Sequence, residues 1–138
     1  LRTGGFKAQW TAKDILKEVP CDYRLTSNSG SFTSPLYPQK YPNNKECTWL
    51  ITVPVDRLLQ LQFLDFILEK HSKCSYDKVE VYDGGTLKSP KRTFCGDKNP
   101  GIMTAFTNRM LIKFKSDATR NYGGFKVTWF TSRREISG

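Results

Sequence analysis

Arg57-Leu58-Leu59-Gln60-Leu61-Gln62-Phe63-Leu64-Asp65-Phe66 is the stretch that decides the fold. Leu59, Leu61 and Phe63 alternate there with Leu58, Gln60, Gln62 and Leu64, a period of two that belongs to a half-buried strand and not to a helix. The same period recurs on both sides of it. Thr48 to Val53 sets Trp49, Ile51 and Val53 against Thr48, Leu50 and Thr52. Lys78 to Tyr82 places Val79 and Val81 on one side and runs into the turn Asp83-Gly84-Gly85. Arg109 to Lys115 opposes Met110, Ile112 and Phe114 to Leu111, Lys113 and Lys115, and Gly124 to Phe130 turns Phe125, Val127 and Trp129 inward. Ser34-Pro35, Tyr37-Pro38, Tyr41-Pro42-Asn43-Asn44, Asn99-Pro100-Gly101 and Gly123-Gly124 supply the breaks between these runs. Short strands, regular turns and almost no helical period predict an all-β antiparallel β-sandwich.

The rest of the composition narrows the class. At 138 residues the chain has room for one domain, and 38% hydrophobic residues suffice for a core. The longest apolar run, Phe63 to Leu68, is interrupted by Asp65 and is too short to cross a bilayer, so no membrane insertion is expected. No basic-then-apolar leader opens the sequence, so an export signal is expected to have been removed or to lie upstream. Cys21, Cys47, Cys74 and Cys95 are spaced by 26, 27 and 21 residues with no CxxC pair. Zinc sites draw ligands in close pairs, so this spacing points to disulfides and an oxidising compartment, with four buried thiols as the alternative. Three connectivities are open on spacing alone.

The N-terminus reads differently. Gly4-Gly5-Phe6-Lys7-Ala8-Gln9-Trp10 echoes Gly123-Gly124-Phe125-Lys126-Val127-Thr128-Trp129 at five of seven positions. Residues 1–20 are therefore expected to be the end of a preceding repeat plus a connector, followed by a domain over 21–131 and a tail over 132–138.

Several segments in order carry a family likeness. Gly30-Ser31-Phe32-Thr33-Ser34-Pro35-Leu36-Tyr37-Pro38, Tyr41-Pro42-Asn43-Asn44 and Cys47-Thr48-Trp49 come first. Leu64-Asp65-Phe66-Ile67-Leu68-Glu69, Cys74-Ser75-Tyr76-Asp77, Val79-Glu80-Val81-Tyr82-Asp83-Gly84, Phe94-Cys95-Gly96 and Phe114-Lys115-Ser116-Asp117 follow. Together they resemble a CUB domain over about four-fifths of the chain. The resemblance implies a secreted, extracellular jelly-roll sandwich with disulfides Cys21–Cys47 and Cys74–Cys95, and it implies tandem repeats within a multidomain protein, in some cases a protease.

The resemblance also implies a calcium site. Glu69 lies five residues before the third cysteine, Asp77 three after it, and Asp117 follows Ser116, which are the family's ligand positions. A hard dication takes six to eight oxygens, so loops at one end of a sandwich must bring carboxylates together. Asn121 is expected to help complete the shell. In calcium-binding members the tyrosine at the position of Tyr41 frames the site, where a calcium-fixed carboxylate accepts a lysine from a protein partner. Partner contact is thus expected at Tyr41, Glu69, Asp77 and Asp117. Lys70, His71, Lys73 and Lys78 crowd the same segments and work against a cation.

The net charge of +9 suggests a second surface. Lys88, Lys91 and Arg92 fall within five positions, with Lys113, Lys115, Lys126, Arg133 and Arg134 on strands or ends that share a face in this reading. Such a cluster suits a sulfated, heparan-sulfate-like glycosaminoglycan or an acidic protein. Nucleic acid is disfavoured, because no aromatic-basic platform stands out. Catalysis is disfavoured too. The chain's one histidine, His71, sits between Lys70 and Ser72, and there is neither a nucleophile elbow nor a phosphate-cradling loop.

Overall fold

The computed structural model describes residues 21–118 and 121–133. The expected preceding repeat and connector, together with Arg134, lie outside them.

Among the described residues nine strands follow one another: β1 Asp22–Leu25, β2 Gly30–Thr33, β3 Glu46–Thr52, β4 Arg57–Ile67, β5 Lys78–Asp83, β6 Lys91–Phe94, β7 Ile102–Thr104, β8 Arg109–Lys115 and β9 Gly124–Arg133. They build two sheets in the orders β1-β3-β8-β5-β6 and β2-β9-β4-β7. The five long runs of alternating residues became β3, β4, β5, β8 and β9. Each turns its apolar set between the sheets, where Trp49, Ile51, Leu59, Leu61, Val79, Ile112, Phe125 and Val127 are buried. The four short strands carry too few alternating positions to be legible by period. All pairings are antiparallel except β1 with β3, which run parallel across the Cys21–Cys47 disulfide. The last described strand reaches Arg133, which pairs with Arg57.

One irregularity matters for function. Simple alternation along β4 would turn Asp65 inward after Phe63. Instead the β4–β9 register slips between Phe63 and Asp65, inserting Leu64 as a bulge. The bulge re-phases the strand, so Phe66 and Leu68 enter the core while Asp65 faces outward and accepts a hydrogen bond from the Tyr37 hydroxyl. Beyond it the chain arrives at Glu69 at the end of the sandwich where β3 begins, β5 begins and β8 ends.

An aromatic column leads to that end. Trp49 stacks on Phe32 at 4.6 Å and meets Phe125 edge-on at 5.7 Å. Phe125 packs on Phe114 at 5.3 Å, and Phe114 carries the ring of Tyr41 at 5.1 Å. Tyr41 is 1% exposed, so its hydroxyl is delivered to the pole from inside the core.

Candidate metal centre

Three loops converge at this pole. The end of β4 brings Glu69, the segment before β5 brings Asp77, and the turn after β8 brings Asp117. One carboxylate oxygen from each lies within 4.8 Å of the others. Glu69 and Asp77 are buried and Asp117 is partly exposed.

Local bonding explains why the loops meet. The Leu68 N–H donates to the Gly96 carbonyl at 2.8 Å and the Gly96 N–H donates back to Glu69 at 3.2 Å. Gly96 follows Cys95, whose disulfide partner is Cys74. A single covalent link thus ties the backbone beside Glu69 to the loop that ends in Asp77. Within that loop His71 Nδ1 accepts the Lys73 N–H at 3.1 Å and the Ser75 N–H at 3.3 Å, and its ring packs on Tyr76. Cys74 there adopts φ of +51°, a left-handed conformation uncommon for a side-chain-bearing residue, and its N–H donates to the His71 carbonyl. The third loop is laced to the Pro42–Lys45 turn. Asn44 N–H donates to the Asp117 carbonyl at 2.8 Å, and the Ser116 hydroxyl donates to the Pro42 carbonyl at 2.7 Å while accepting the Lys45 N–H at 2.9 Å.

Asp77 is the hub. Its Oδ1 accepts the Asp117 N–H at 2.8 Å, and its Oδ2 accepts the Tyr41 hydroxyl. Burial nevertheless pushes the Asp77 carboxyl above the ordinary carboxylate range; those two hydrogen bonds favour its charged form, and the charge of Asp117 adds to the upward push. The Tyr41 hydroxyl is pushed far up by its burial and by Asp77, so it remains a proton donor at any physiological pH. Among the described residues no donor reaches the buried Oε1 of Glu69, although the residue has other interactions. Three carboxylates this close repel one another, and a cation among them offsets that repulsion. The donor set, all carboxylate oxygen, suits a hard dication such as calcium and offers nothing to a soft one.

The positions of the remaining expected residues differ in part. Tyr41 was expected at the contact tip; it is buried, and positions Asp77 instead of facing a partner. Of the four expected contact residues, only Asp117 has more than slight exposure. Asn121 donates its side-chain amide to the Tyr41 carbonyl, which ties it to the same pole. Among the crowding cations, Lys70 pairs with Asp97 at 3.2 Å and Lys78 approaches Glu80 at 3.8 Å. His71, weighed in the sequence as a crowding charge and as a residue for catalysis, is the loop's organiser; no sequence signal marks that role.

The basic cluster needs correction. Successive residues of a strand point to opposite sides. Lys91 therefore lies on the outer face and pairs with Glu80 at 3.2 Å, whereas Arg92 lies on the inner side over the Phe94 ring at 5.4 Å. Lys113 and Lys115 stand on one sheet, Lys126 and Arg133 on the other. The expected single face is split.

A model of the CUB domain matches residues 21–129 of the sequence. The chain belongs to the CUB domain family. This CUB domain is 43% identical over 120 residues to human Tolloid-like protein 1, a stretch that is 86% of this chain and 12% of that protein. The chain thus spans a small part of its relative. Among solved structures, the full extracellular region of zebrafish Gpr126/Adgrg6 superposes with a TM-score of 0.76 at 35% identity, over 83% of this chain and 15% of that one. The MASP-1 CUB2 domain bound to Ca2+ superposes with a TM-score of 0.69 at 31% identity, over 78% of this chain and 96% of that one. The CUB domain is a non-catalytic module, in agreement with the lack of catalytic motifs in the sequence.

Proposed function

We propose that this CUB domain is an extracellular, calcium-binding module that mediates protein–protein contact within a larger secreted protein. The observation that carries it is the meeting of Glu69, Asp77 and Asp117 within 4.8 Å from three separate loops. Those three carboxylates would hold the ion, with Tyr41 fixing Asp77 from beneath. The ion supplies charge neutralisation, which makes the convergence of three acids stable and locks the loops. The calcium-bound MASP-1 relative supports the choice of metal.

Partner contact follows from exposure. Asp117, at the rim, presents the carboxylate edge to which a lysine ammonium of the partner can donate. The net charge of +9 means that attraction to such a basic group is local, made by this acidic pole against the field of the whole domain.

Calorimetric titration of the intact chain with calcium, compared with Asp117→Ala, tests the metal. The native chain should bind one equivalent and melt higher in calcium, by roughly 2.7 kcal/mol at one hundred times the dissociation constant. Equal heats and equal melting in both proteins would defeat the reading. For the partner, Nα-acetyl-lysine amide should shift the Asn44 and Asp117 amide resonances in calcium and not in chelator, and an acetyl-norleucine control should shift neither.

A further inference from the structure

Among the described residues the sandwich has two open edges, and the one between β6 and β7 is built differently from an ordinary rim. β6 closes the five-stranded sheet and β7 the four-stranded one, each paired on one side alone among the described residues. Between them a slot of about 130 Å³ opens to solvent. Its floor is core: Val81, Met103 and Met110 are each at most 5% exposed. Its mouth is formed by Pro90, Arg92 and Phe106. The Phe106 side chain stands in solvent, while its backbone is pinned, since the Asp83 carboxylate accepts the N–H groups of Phe106 and Thr107 and the Thr107 hydroxyl. A rigid loop thus holds an exposed aromatic ring beside an apolar hole large enough for one leucine-sized side chain.

The edge itself is open to hydrogen bonding. The Asp83 N–H donates to the Pro90 carbonyl at 3.0 Å, which sets the phase of the β5–β6 ladder. Antiparallel partners alternate between exchanging both bonds and exchanging none. Arg92 and Phe94, opposite Val81 and Val79, therefore bond to β5, and the N–H and C=O groups of Lys91 and Thr93 point away from the sheet. A strand laid along β6 would pair with those two residues. Its side chain opposite Arg92 would enter the slot, and its neighbours would lie beside Lys91 on the outer face.

The charges say what such a strand carries. Lys91 and Arg92 flank the position on its two sides. Of the acids nearby, Glu80 is paired with Lys91 and Lys78 and bonded by the Tyr82 hydroxyl, while Asp83 is turned to the neutral N–H and O–H donors of its loop and keeps its charge, which Lys91 and Arg92 together outweigh. No carboxylate pairs with Arg92 among the described residues. Lys and Arg on an edge strand commonly serve only to discourage pairing between copies. Here they border an apolar slot floored by two deformable thioethers, a combination suited to receiving a side chain.

We propose that this edge is a second binding site, which takes an extended acidic peptide segment by strand addition to β6 with one apolar side chain seated over Met103 and Met110. It lies at the β6–β7 edge, away from the carboxylate pole, and does not depend on calcium.

Met103 and Met110 are the two methionines of the chain, so a protein labelled with ¹³C-methyl-methionine reports on the slot alone. The intact chain is titrated with the blocked peptide acetyl-Asp-Glu-Leu-Glu-Asp-amide, with a version carrying Gly for Leu, and with one carrying Lys for each acid. The leucine peptide should move both methyl signals and slow amide exchange at Lys91 and Thr93, in chelator as in calcium. The other two should leave them in place, and Arg92→Glu should weaken binding about tenfold. Methyl signals unmoved by millimolar leucine peptide would overturn the proposal, as would equal shifts from the lysine peptide or from a heparin oligosaccharide. Calcium titration of the same sample reads the other pole separately, so failure of either site is distinguishable.

Discussion

Asp77→Asn should change the sign of its effect with calcium. The substitution keeps the shape of the side chain, an acceptor for the Asp117 N–H and a polar partner for the Tyr41 hydroxyl. It removes one charge from three that lie within 4.8 Å. At that distance two carboxylates repel by about 3.5 kcal/mol at an effective dielectric constant near 20, and by about 0.9 kcal/mol in water. Asp117 is partly exposed, and Asp77 takes up a proton more readily than an ordinary carboxylate, so both effects trim the larger figure. A relief of about 1–2 kcal/mol is expected in chelator, which for a domain of this size raises the melting temperature by about 4–8 °C. In saturating calcium the order reverses, because the native protein gains ligand-linked stability and the variant has lost a ligand oxygen. Differential scanning calorimetry of both proteins, each in EDTA and in calcium, reads all four values. A variant that melts below the native protein by the same margin in both buffers would refute the reasoning, since it would make Asp77 a structural hydrogen-bond hub with no metal to hold.

Three further outcomes follow from the same geometry. His71→Ala removes the acceptor of two backbone N–H groups without touching a carboxylate, so calcium affinity measured by calorimetry should fall about tenfold while the number of bound ions stays the same. Burial alone would raise the Glu80 carboxyl, but the Lys91 hydrogen bond and the charges of Lys78 and Lys91 hold it below the ordinary carboxylate range. A depressed carboxyl stabilises the fold above its unfolded-state value and loses that effect as pH falls through the folded-state value. Glu80→Gln should therefore cost about 1 kcal/mol at pH 7 and little at pH 3 by urea denaturation. Gly124 has φ of +89°, and a Cβ there would collide with the Ser34 hydroxyl, which accepts the Phe125 N–H. Gly124→Ala should cost about 2 kcal/mol or more in the same assay.

The period-two runs determined the class of fold by themselves, because a strand with one face on a core must repeat every second residue, and five such runs were long enough to show it. The spacing of Glu69 and Asp77 around Cys74, and the Ser116-Asp117 pair, likewise marked the carboxylates, since a family likeness is carried in linear order. What the polymer order could not contain was direction and distance. Lys91 and Arg92 are neighbours in the chain, yet the pleat sends them to opposite sides. Tyr41 reads as a surface residue of a Pro- and Asn-rich turn, yet packing against Phe114 buries it and makes it a support. The bulge at Leu64 and the slot between β6 and β7 each arise from segments tens of residues apart meeting in space. Alternation and spacing are local properties, written along the chain; burial, pairing and charge compensation depend on which segments the folded sheets bring side by side.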